Sequence, residues 1–357
     1  MKKRTITSKS RDRILFISPL DNDFIQNDFF ILSKENIVTK RIYNWQIVEN
    51  APLHFLRQFI YLLFNITNNN KIIVEFAGYW SLLPSLFGKI FNIPVIVICH
   101  GTDCASLPSL RYGSLNKRFL KTFCKLTYKL ADLICPVSDS LIKTKNIFHK
   151  NKKEEQQGIL AFTPNLKTPF KVIHNGLDID FWQSENNEKK KNSFLAVFSE
   201  DQFYLKGGDI ILIMASKLPN YSFEIAGTEK PLHINDIPKN LTFLGKLEKE
   251  KLKEKYQNTE FYFQLSTFEG FGLSLCEAML NECIPIGSSS NMISEIIGNS
   301  GYILETKDEQ ELENIIKIAV INQNKTKKAK MASKSIAERF SLKKREIELL
   351  KAVKDIT

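Results

Sequence analysis

The sequence predicts an α/β fold in two halves, each built around a parallel β-sheet with helices on both faces. Apolar, strand-like runs alternate with helical segments along both halves of the chain, a pattern typical of parallel sheets. Between the halves, residues 175–193 gather Gly, Asp, Asn and a run of lysines, as a linker does. The chain has 357 residues, which is long enough for two separate cores.

The first half is expected to begin with a strand at 14–18, because this apolar run is too short for the core of a signal peptide. The segment 55–64 is the longest apolar stretch, but it contains Arg57 and falls short of the roughly 20 residues that a membrane-spanning helix needs. It is therefore predicted to be a core helix. The strands expected in this half are 14–18, 71–76, 94–99 and 133–137, and the helices lie near 28–34, 80–91 and 115–130.

The second half repeats the alternation of strands and helices. Before it, residues 143–170 form a long polar insertion, which is either an acceptor loop or disordered. Ligands of such folds bind outside the carboxyl ends of the strands, so a binding cleft is expected between the halves. The strands expected here are 194–198, 221–226, 241–244, 261–265 and 284–286.

Residues 266–279 form a glycine-flanked turn between a predicted strand and a predicted helix. Gly270 and Gly272 allow positive φ and let a ligand approach the backbone. The unpaired N–H groups at the helix start, from Gly272, Leu273 and Ser274, would point toward an anion such as a diphosphate.

Two carboxylates flank this turn. Glu269 precedes the helix and Glu277 lies one turn inside it, so the two acids reach different parts of one ligand. Carboxylates accept hydrogen bonds from sugar hydroxyls and cannot serve the phosphate itself. A phosphate between two hydroxyl-bearing groups describes a nucleotide sugar. Taken alone, the pair would more often be a loop acid and a helix-surface acid.

The ordered motifs of the chain resemble the family 4 glycosyltransferases, which are retaining enzymes of GT-B fold with a Glu-x7-Glu signature. The resemblance covers nearly the whole chain. Its motifs are Cys-His-Gly-Thr-Asp at 99–103, Val-Ser-Asp-Ser at 137–140, Ile-His-Asn-Gly-Leu-Asp at 173–178, Lys-Gly-Gly at 206–208, Leu-Thr-Phe-Leu-Gly at 241–245, Glu-Gly-Phe-Gly at 269–272, and Pro-Ile-Gly-Ser at 285–288 followed by Glu295.

The resemblance implies two Rossmann-like domains with parallel sheets facing a central cleft. The first, 1–185, would hold the acceptor and the second, 186–340, the nucleotide sugar, with a last helix at 341–357 packing back on the first. It also implies residue roles. Glu269 would hold the transferred sugar and Glu277 the ribose, while His100 would contact the sugar from the first domain. The turn residues Gly270, Phe271, Gly272, Leu273 and Ser274 would bind the donor, and Gly245 and Lys246 would frame its base.

Lys206 and Gly207 are expected at the donor diphosphate, where the lysine ammonium would neutralise charge. Relatives usually add an arginine a few residues upstream. This chain reads Phe-Ser-Glu-Asp-Gln-Phe-Tyr-Leu-Lys at 198–206 and lacks that arginine. Because this arginine is missing, a non-catalytic binding protein of the same fold is an alternative function, and a nucleotide-sugar epimerase is a third.

The acceptor side is expected in the first half. Asp21 and Asp23, in Asp-Asn-Asp after the first strand, match a short metal-binding pattern of a different glycosyltransferase fold. Because relatives of GT-B fold generally need no metal, these residues and Asp103 are interpreted as acceptor-side, with a polar turn as the alternative for Asp21 and Asp23. No metal or cofactor is expected, and the nucleotide sugar is a co-substrate.

Most of the net charge of +11 comes from one stretch, because residues 111–153 hold eleven Lys or Arg and two Asp. A helix at 115–130 would align four cations as a ridge on one side, opposite an apolar face. Such a ridge is able to meet anionic lipid headgroups, and a solvated helix face is the alternative. The ridge consists of Arg118, Lys121, Lys125 and Lys129, and the opposite face of Phe119, Leu120, Phe123 and Leu130.

The function expected from sequence is therefore transfer of a sugar, from a UDP- or GDP-linked donor, to a glycan or lipid-linked acceptor in surface polysaccharide or glycolipid synthesis. Six cysteines without metal-ligand or redox spacing fit reduced thiols in the cytoplasm. A place on the inner face of the cytoplasmic membrane would suit the ridge. Nucleic acid is not an expected partner, since no binding motif accompanies the charge.

Overall fold

The computed structural model describes residues 11–42, 45, 51–148, 155–183, 188–231, 234 and 236–356. Five predictions fall partly outside these residues. They concern the start of the first domain at 1–10, residues 149–154 of the polar insertion, residues 184–187 of the linker at 175–193, the domain boundary at 185/186, and residue 357 of the predicted last helix.

The first sheet is parallel throughout, with strand order β2-β1-β3-β4-β5. The central strands are buried apolar runs, as parallel sheets covered on both faces require. Strand β2 was not predicted, because it lies at the sheet edge and most of its residues are exposed or half-buried. The strands are β1 (Arg13–Ser18), β2 (Ile37–Ile42), β3 (Lys71–Glu75), β4 (Val95–Cys99) and β5 (Leu133–Pro136).

Four long helices cover this sheet. They are α1 (Asp23–Glu35), α2 (Ala51–Asn65), α3 (Tyr79–Phe91) and α4 (Arg118–Leu130). The polar insertion contains ordered structure on both sides of its undescribed residues. Strands β6 (Thr144–Asn146) and β7 (Glu155–Gln157) pair antiparallel, and the short helix α5 (Ile159–Phe162) follows them.

The second sheet is also parallel, with order β10-β9-β8-β11-β12-β13. Stacked phenylalanine rings fill its core, with Phe194 at 4.9–5.1 Å from the rings of Phe223, Phe261 and Phe263. The short edge strand β13 was not predicted. The strands are β8 (Lys190–Val197), β9 (Ser222–Ala226), β10 (Leu241–Phe243), β11 (Thr259–Gln264), β12 (Ile284–Ser288) and β13 (Tyr302–Leu304).

Helices connect these strands and end the chain. They are α6 (Ile179–Trp182), α7 (Gly208–Lys217), α8 (Lys249–Asn258), α9 (Leu273–Leu280), α10 (Ile293–Ile297), α11 (Glu309–Ile321), α12 (Lys325–Arg339) and α13 (Leu342–Asp355). The predicted α/β class with two parallel sheets is confirmed. No helix among the described residues is both long and apolar enough to cross a bilayer.

The last helix, α13, packs against α1 of the first domain through a buried ion pair. Arg345 donates to both carboxylate oxygens of Asp28, with an Nε to Oδ1 distance of 2.5 Å. It also donates to the carbonyls of Ile173 and His174, at 3.0 and 2.8 Å, where the chain leaves the first domain. One guanidinium therefore ties the last helix to both the first domain and the domain junction.

Two expectations about side-chain burial are wrong. Helix α2 is not a core helix, because only Gln58 and Leu62 on it are buried. Phe119 does not lie on the buried face of α4, since its side chain is 74% exposed among the basic residues. The buried face of α4 consists of Leu120, Cys124, Thr127 and Tyr128. Composition predicted where these helices lie in the sequence. Which side of each helix is buried depends on the elements that pack against it.

We expect Arg345→Ala to destabilise the protein by about 3–5 kcal/mol, because it leaves Asp28 as a buried charge without its partner. Urea unfolding followed by circular dichroism measures the loss. Lys343→Ala on the same helix is the matched control, since Lys343 is exposed. A loss below about 1 kcal/mol for Arg345→Ala would show that the ion pair does not hold α13 in place.

Candidate active site

The predicted phosphate-binding turn lies between β11 and α9. Gly272 adopts a φ of 104°, in the left-handed region that favours glycine, and the helix begins at the next residue, Leu273. The N–H groups of the first helical turn have no partners within the helix. Gly272, Leu273 and Ser274 all line one cavity of about 190 Å³ in the cleft between the domains, here called cavity 1.

Lys206 and Glu269 meet on the wall of cavity 1. The Nζ of Lys206 lies 2.6 Å from Oε2 of Glu269. The same oxygen accepts from Nε2 of Gln264 at 2.6 Å and from the hydroxyl of Ser266 at 3.3 Å. Because three donors converge on one carboxylate oxygen, the position of Glu269 is fixed before any ligand binds. Among the described lining residues, Lys206 is the one lysine or arginine of the cavity.

His100 faces cavity 1 from the first domain, directly after β4. Its ring lies between Phe24 and Phe76, with centroid distances of 4.7 and 4.5 Å. Its Nε2 is 2.6 Å from Oε2 of Glu75, the last residue of β3. Burial, reinforced by the positive charge of Arg345, lowers the pKa of His100 to about 4, so the ring is neutral at physiological pH.

Glu277 faces a second cavity of about 250 Å³, here called cavity 2, which shares Phe24 and Leu273 with the first. Its Oε2 accepts a hydrogen bond from the hydroxyl of Tyr256 at 3.2 Å. Burial raises the pKa of Glu277 to about 7, even though the bond from Tyr256 and the charge of Lys249 act in the opposite direction. The two glutamates of the signature thus serve different compartments of one cleft.

The two domains touch at the glycine turn. A Cβ added to Gly270 would lie 1.9 Å from the carbonyl oxygen of His100, and one added to Gly101 would lie 2.8 Å from the Cα of Gly270. Ser138, which follows β5, donates to the carbonyl of Gly270 at 2.7 Å. Gly270 is therefore required here for a close approach of the opposite domain. Phe271 packs on His174 and Phe340 at the domain junction.

The remaining donor-side residues lie outside cavities 1 and 2. Gly207 precedes α7 with a φ of 79°, and an added Cβ would meet the carbonyl oxygen of Leu265 at 2.8 Å. Gly245 has a φ of 66° and packs beside Glu229, and Lys246 is exposed. Their predicted contacts with the donor stay predictions.

The acceptor-side residues are dispersed. Asp21 pairs with Lys40 at 2.5 Å, whereas Asp23 is the first residue of α1 and lines cavity 2. Asp103 is buried, and its carboxylate accepts from the backbone N–H groups of Ala77, His100 and Gly101 at 3.1–3.2 Å. The oxygens of Asp103 hold the loop that carries His100, and the predicted acceptor-side role of Asp103 stays a prediction.

One buried group of side chains has the composition of a metal site. The ligand atoms of Cys99, Asp103 and Cys104 lie within 4.8 Å of one another. Burial raises the pKa of Cys99 well above its usual value and that of Cys104 to about 11, so both thiols stay protonated, while metals bind the thiolate. The carboxylate of Asp103 holds the loop that carries His100 through its hydrogen bonds with the backbone N–H groups of His100 and Gly101.

Several residues of the site were missed by sequence reasoning. Phe24, Asn175, Val197 and Gln264 line cavity 1, and Glu75 holds His100. Gln264 and Glu75 each lie at the end of an apolar strand. A polar residue at that position was the available signal, because the carboxyl ends of parallel strands meet at the cleft.

We expect Glu277 to make folding stability depend on pH. Its pKa is about 7 in the folded chain against an ordinary value of 4.5, so the folded state holds more protons between these values. Stability therefore falls as pH rises from 4.5 through 7, by roughly 3 kcal/mol in full. Glu277→Gln cannot ionise and should lose this dependence, which urea unfolding at pH 5 and pH 8 measures.

Glu250→Gln is the control for this measurement, since Glu250 is an exposed acid of the same domain. An unchanged difference between pH 5 and pH 8 in Glu277→Gln would contradict the assignment.

Comparison with known proteins places the chain in a family. Residues 179–356 match the family model for glycosyl transferases group 1. The chain is 24% identical over 282 residues to a GDP-mannose:cellobiosyl-diphosphopolyprenol alpha-mannosyltransferase of Xanthomonas oryzae pv. oryzae, an alignment that covers 75% of this chain and 68% of the relative.

Solved structures share the architecture of nearly the whole chain. A sucrose-phosphate synthase from Thermosynechococcus elongatus has a TM-score of 0.73 at 13% identity and covers 96% of this chain and 98% of its own. The Anabaena HepE protein in complex with UDP-glucose has a TM-score of 0.67 at 17% identity, with 96% and 100% covered. The predicted resemblance and GT-B fold are confirmed, and the chain belongs to the group 1 glycosyltransferases, enzymes of GT-B fold with two Rossmann-like domains.

Proposed function

We propose that the chain transfers a sugar from a UDP- or GDP-linked donor to a hydroxyl of a glycan or lipid-linked acceptor, with retention of configuration. The observation that carries this proposal is the composition of cavity 1. A cation, a fixed carboxylate and the start of a helix come from the second domain, and a neutral histidine comes from the first. These are the groups that a sugar diphosphate requires.

In this proposal the donor diphosphate lies at the start of α9. The N–H groups of Leu273 and Ser274 and the ammonium of Lys206 neutralise the charge that develops when the bond from the anomeric carbon to phosphate breaks. Glu269 binds hydroxyls of the transferred sugar, and Glu277 binds the ribose hydroxyls from cavity 2. Lys206 is the one lysine or arginine among the described lining residues, so the helix start supplies the remaining positive potential for the diphosphate.

The transfer in this proposal takes place on one face of the sugar, without a covalent intermediate on the protein. The acceptor oxygen forms its bond to the anomeric carbon on the side from which the diphosphate leaves, and the acceptor proton passes to the leaving phosphate oxygen. The protein then supplies positioning and charge stabilisation. No metal or cofactor takes part in the proposal.

A thermal-shift screen of nucleotide sugars, including GDP-mannose and UDP-glucose, tests the donor. A ligand at 100 times its Kd stabilises by about 2.7 kcal/mol, so the right donor should raise the melting temperature measurably. We expect Glu269→Ala and Lys206→Ala to lose the shift and the transfer activity. Glu250→Ala is the exposed control. Proton NMR of the product should show the anomeric configuration of the donor.

If no nucleotide sugar stabilises the wild type, or if both cavity variants bind the donor as tightly as wild type, cavity 1 is not the donor site.

The acceptor is proposed to reach the site from a cytoplasmic membrane surface. The exposed side of α2 consists of large apolar side chains, 42–73% exposed, and α3 extends it. Monomeric proteins rarely expose large contiguous apolar patches unless they bind a partner. This docking face comprises Leu53, Leu56, Phe59, Ile60, Leu63 and Phe64 of α2 and Leu86, Ile90 and Phe91 of α3.

Charge favours an anionic bilayer as the partner of the docking face. Helices α2, α3 and α4 contain no Asp or Glu. They carry Arg57, Lys89 and the four ridge cations, and Phe55 of α2 packs on Phe123 of α4 with a centroid distance of 5.6 Å. Each cation near an anionic surface contributes about 1 kcal/mol, and the apolar side chains would enter the headgroup boundary.

An aromatic cavity of about 220 Å³ adjoins this region of the first domain. It is lined by Trp45 and Trp80, together with Phe76 and Thr102 from the loops after β3 and β4. Trp45 also packs on Phe55 of α2 at 4.9 Å. The same tryptophan therefore touches both the helix of the docking face and the cavity on the acceptor side, which supports a lipid-linked acceptor.

Vesicle sedimentation tests the docking face. We expect the protein to bind vesicles that contain phosphatidylglycerol and to bind pure phosphatidylcholine more weakly. The variant Ile60→Asp/Phe64→Asp should bind the anionic vesicles about tenfold or more weakly, because each apolar side chain contributes about 1.5–3 kcal/mol on burial. The control Ile318→Asp/Ile321→Asp changes two exposed isoleucines on α11 of the second domain.

Equal binding by the docking-face variant and the control would overturn the membrane assignment. A wild-type dimer in solution that dissociates in Ile60→Asp/Phe64→Asp would assign the face to a second copy of the chain.

A further inference from the structure

Four ionisable side chains form a buried network behind cavity 1. They are Glu75 at the end of β3, His100 after β4, Asp28 on α1 and Arg345 on α13. Each side chain is at most 4% exposed. Arg345 and Asp28 neutralise each other, so the pair of Glu75 and His100 must also be close to neutral in this environment.

The contact between Glu75 and His100 requires one proton. Oε2 of Glu75 and Nε2 of His100 are 2.6 Å apart, and two unprotonated acceptors would repel each other at that distance. If the proton belongs to Nε2, the histidine donates to a carboxylate, so that the pair either carries a net charge of −1 with Nδ1 as an acceptor or is an imidazolium–carboxylate ion pair with Nδ1 protonated. If the proton belongs to Glu75, the acid donates to Nε2, and the neutral ring carries its own proton on Nδ1.

The surroundings favour the second arrangement. Burial, followed by the negative charge of Asp28, raises the pKa of Glu75 well above its usual value. Burial and the charge of Arg345 lower the pKa of His100 to about 4. Both shifts place the shared proton on the carboxyl group. Nδ1 of His100 is buried and has no hydrogen-bond partner among the described residues.

We propose that Glu75 is a positioning residue that donates its carboxyl proton to Nε2 of His100 and so fixes the Nδ1–H form of the ring as the donor offered to the sugar. The claim that Glu75 fixes the Nδ1–H form concerns the tautomer of His100 in the free protein. The claim that this N–H binds the sugar rests on the proposed function, in which cavity 1 holds the nucleotide sugar.

This arrangement depends on pH through Glu75. The charged and titratable groups that act on it are Asp28 of α1, Arg345 of α13, His100 and Asp103 after β4, and Cys135 of β5. When Glu75 ionises at alkaline pH, its carboxylate accepts a hydrogen bond from Nε2–H, the neutral ring now carries its one proton on Nε2, and Nδ1 changes from donor to acceptor. The interaction of His100 with a hydroxyl acceptor on the sugar would then be lost.

Nitrogen-15 NMR of histidine-labelled protein reads the tautomer directly. The chain has five histidines, and the spectrum of His100→Gln identifies the signal of His100. We expect the Nδ1–H form in the wild type at pH 7. Glu75→Gln should keep this form, because its amide N–H can still donate to Nε2, whereas Glu75→Ala should show a mixture of forms.

Glu260→Gln is the matched control, since Glu260 is a largely buried acid of the second sheet that pairs with Lys325. An Nε2–H form or a doubly protonated ring in the wild type at pH 7 would overturn the proposal. The spectrum also shows whether each variant is folded.

The pH profile of transfer separates positioning from a merely structural role. We expect kcat/KM of the wild type to fall at alkaline pH and that of Glu75→Gln to lack this fall. Glu75→Ala should lose about tenfold in kcat/KM at neutral pH, which is the effect of about one hydrogen bond. The same alkaline fall in Glu75→Gln as in wild type would contradict the role of Glu75.

The proposed function and the assignment of Glu75 can fail separately. If no nucleotide sugar is bound or transferred, the proposed function fails, and the tautomer of His100 still decides the assignment of Glu75 by NMR.

Discussion

The close approach of two glycine-containing loops organises the whole site. The Cα of Gly270 and the carbonyl of His100 are so near that no side chain fits between them, and Ser138 adds a hydrogen bond across the same contact. Because of this contact, a histidine from one sheet and a lysine–glutamate pair from the other line a single cavity. Arg345 supports it from behind by joining α13, α1 and the chain that crosses between the domains.

Three glutamates near the cleft have the same side chain and different electrostatic environments. Glu269 is held by an ammonium and two further donors. Glu277 has one phenol as its hydrogen-bond donor, so burial dominates and its pKa rises to about 7. Glu75 is fully buried beside Asp28, which raises its pKa further and favours a neutral acid next to His100. Burial and neighbouring charge, rather than residue type, therefore raise the pKa values of Glu277 and Glu75.

The missing upstream arginine bears on binding of the donor diphosphate, and the exposed apolar face of α2 bears on binding of an anionic membrane surface. In the proposed function, the diphosphate would be bound by Lys206 and by backbone dipoles at α9, because the described part of cavity 1 has no second cation. At the other side of the first domain, cations accompany apolar side chains on helices without acids. In the proposed function, the nucleotide sugar and a lipid-linked acceptor would then be held at separate surfaces of the protein.

The sequence alone determined the α/β class, most central strands and the glycine turn with its two glutamates, because buried parallel strands and strand-to-helix turns have strong local patterns. It also predicted Lys206 and His100 as site residues through ordered motifs. The short edge strands β2 and β13, the exposure of α2 and the role of Gly270 depended on tertiary contacts. Glu75 lies 25 residues from His100, and Asp28 lies 317 residues from Arg345. Only the tertiary structure shows that these residues are in contact. Their protonation depends on how deeply they are buried and on the distances between them, and no local sequence pattern encodes burial or distance.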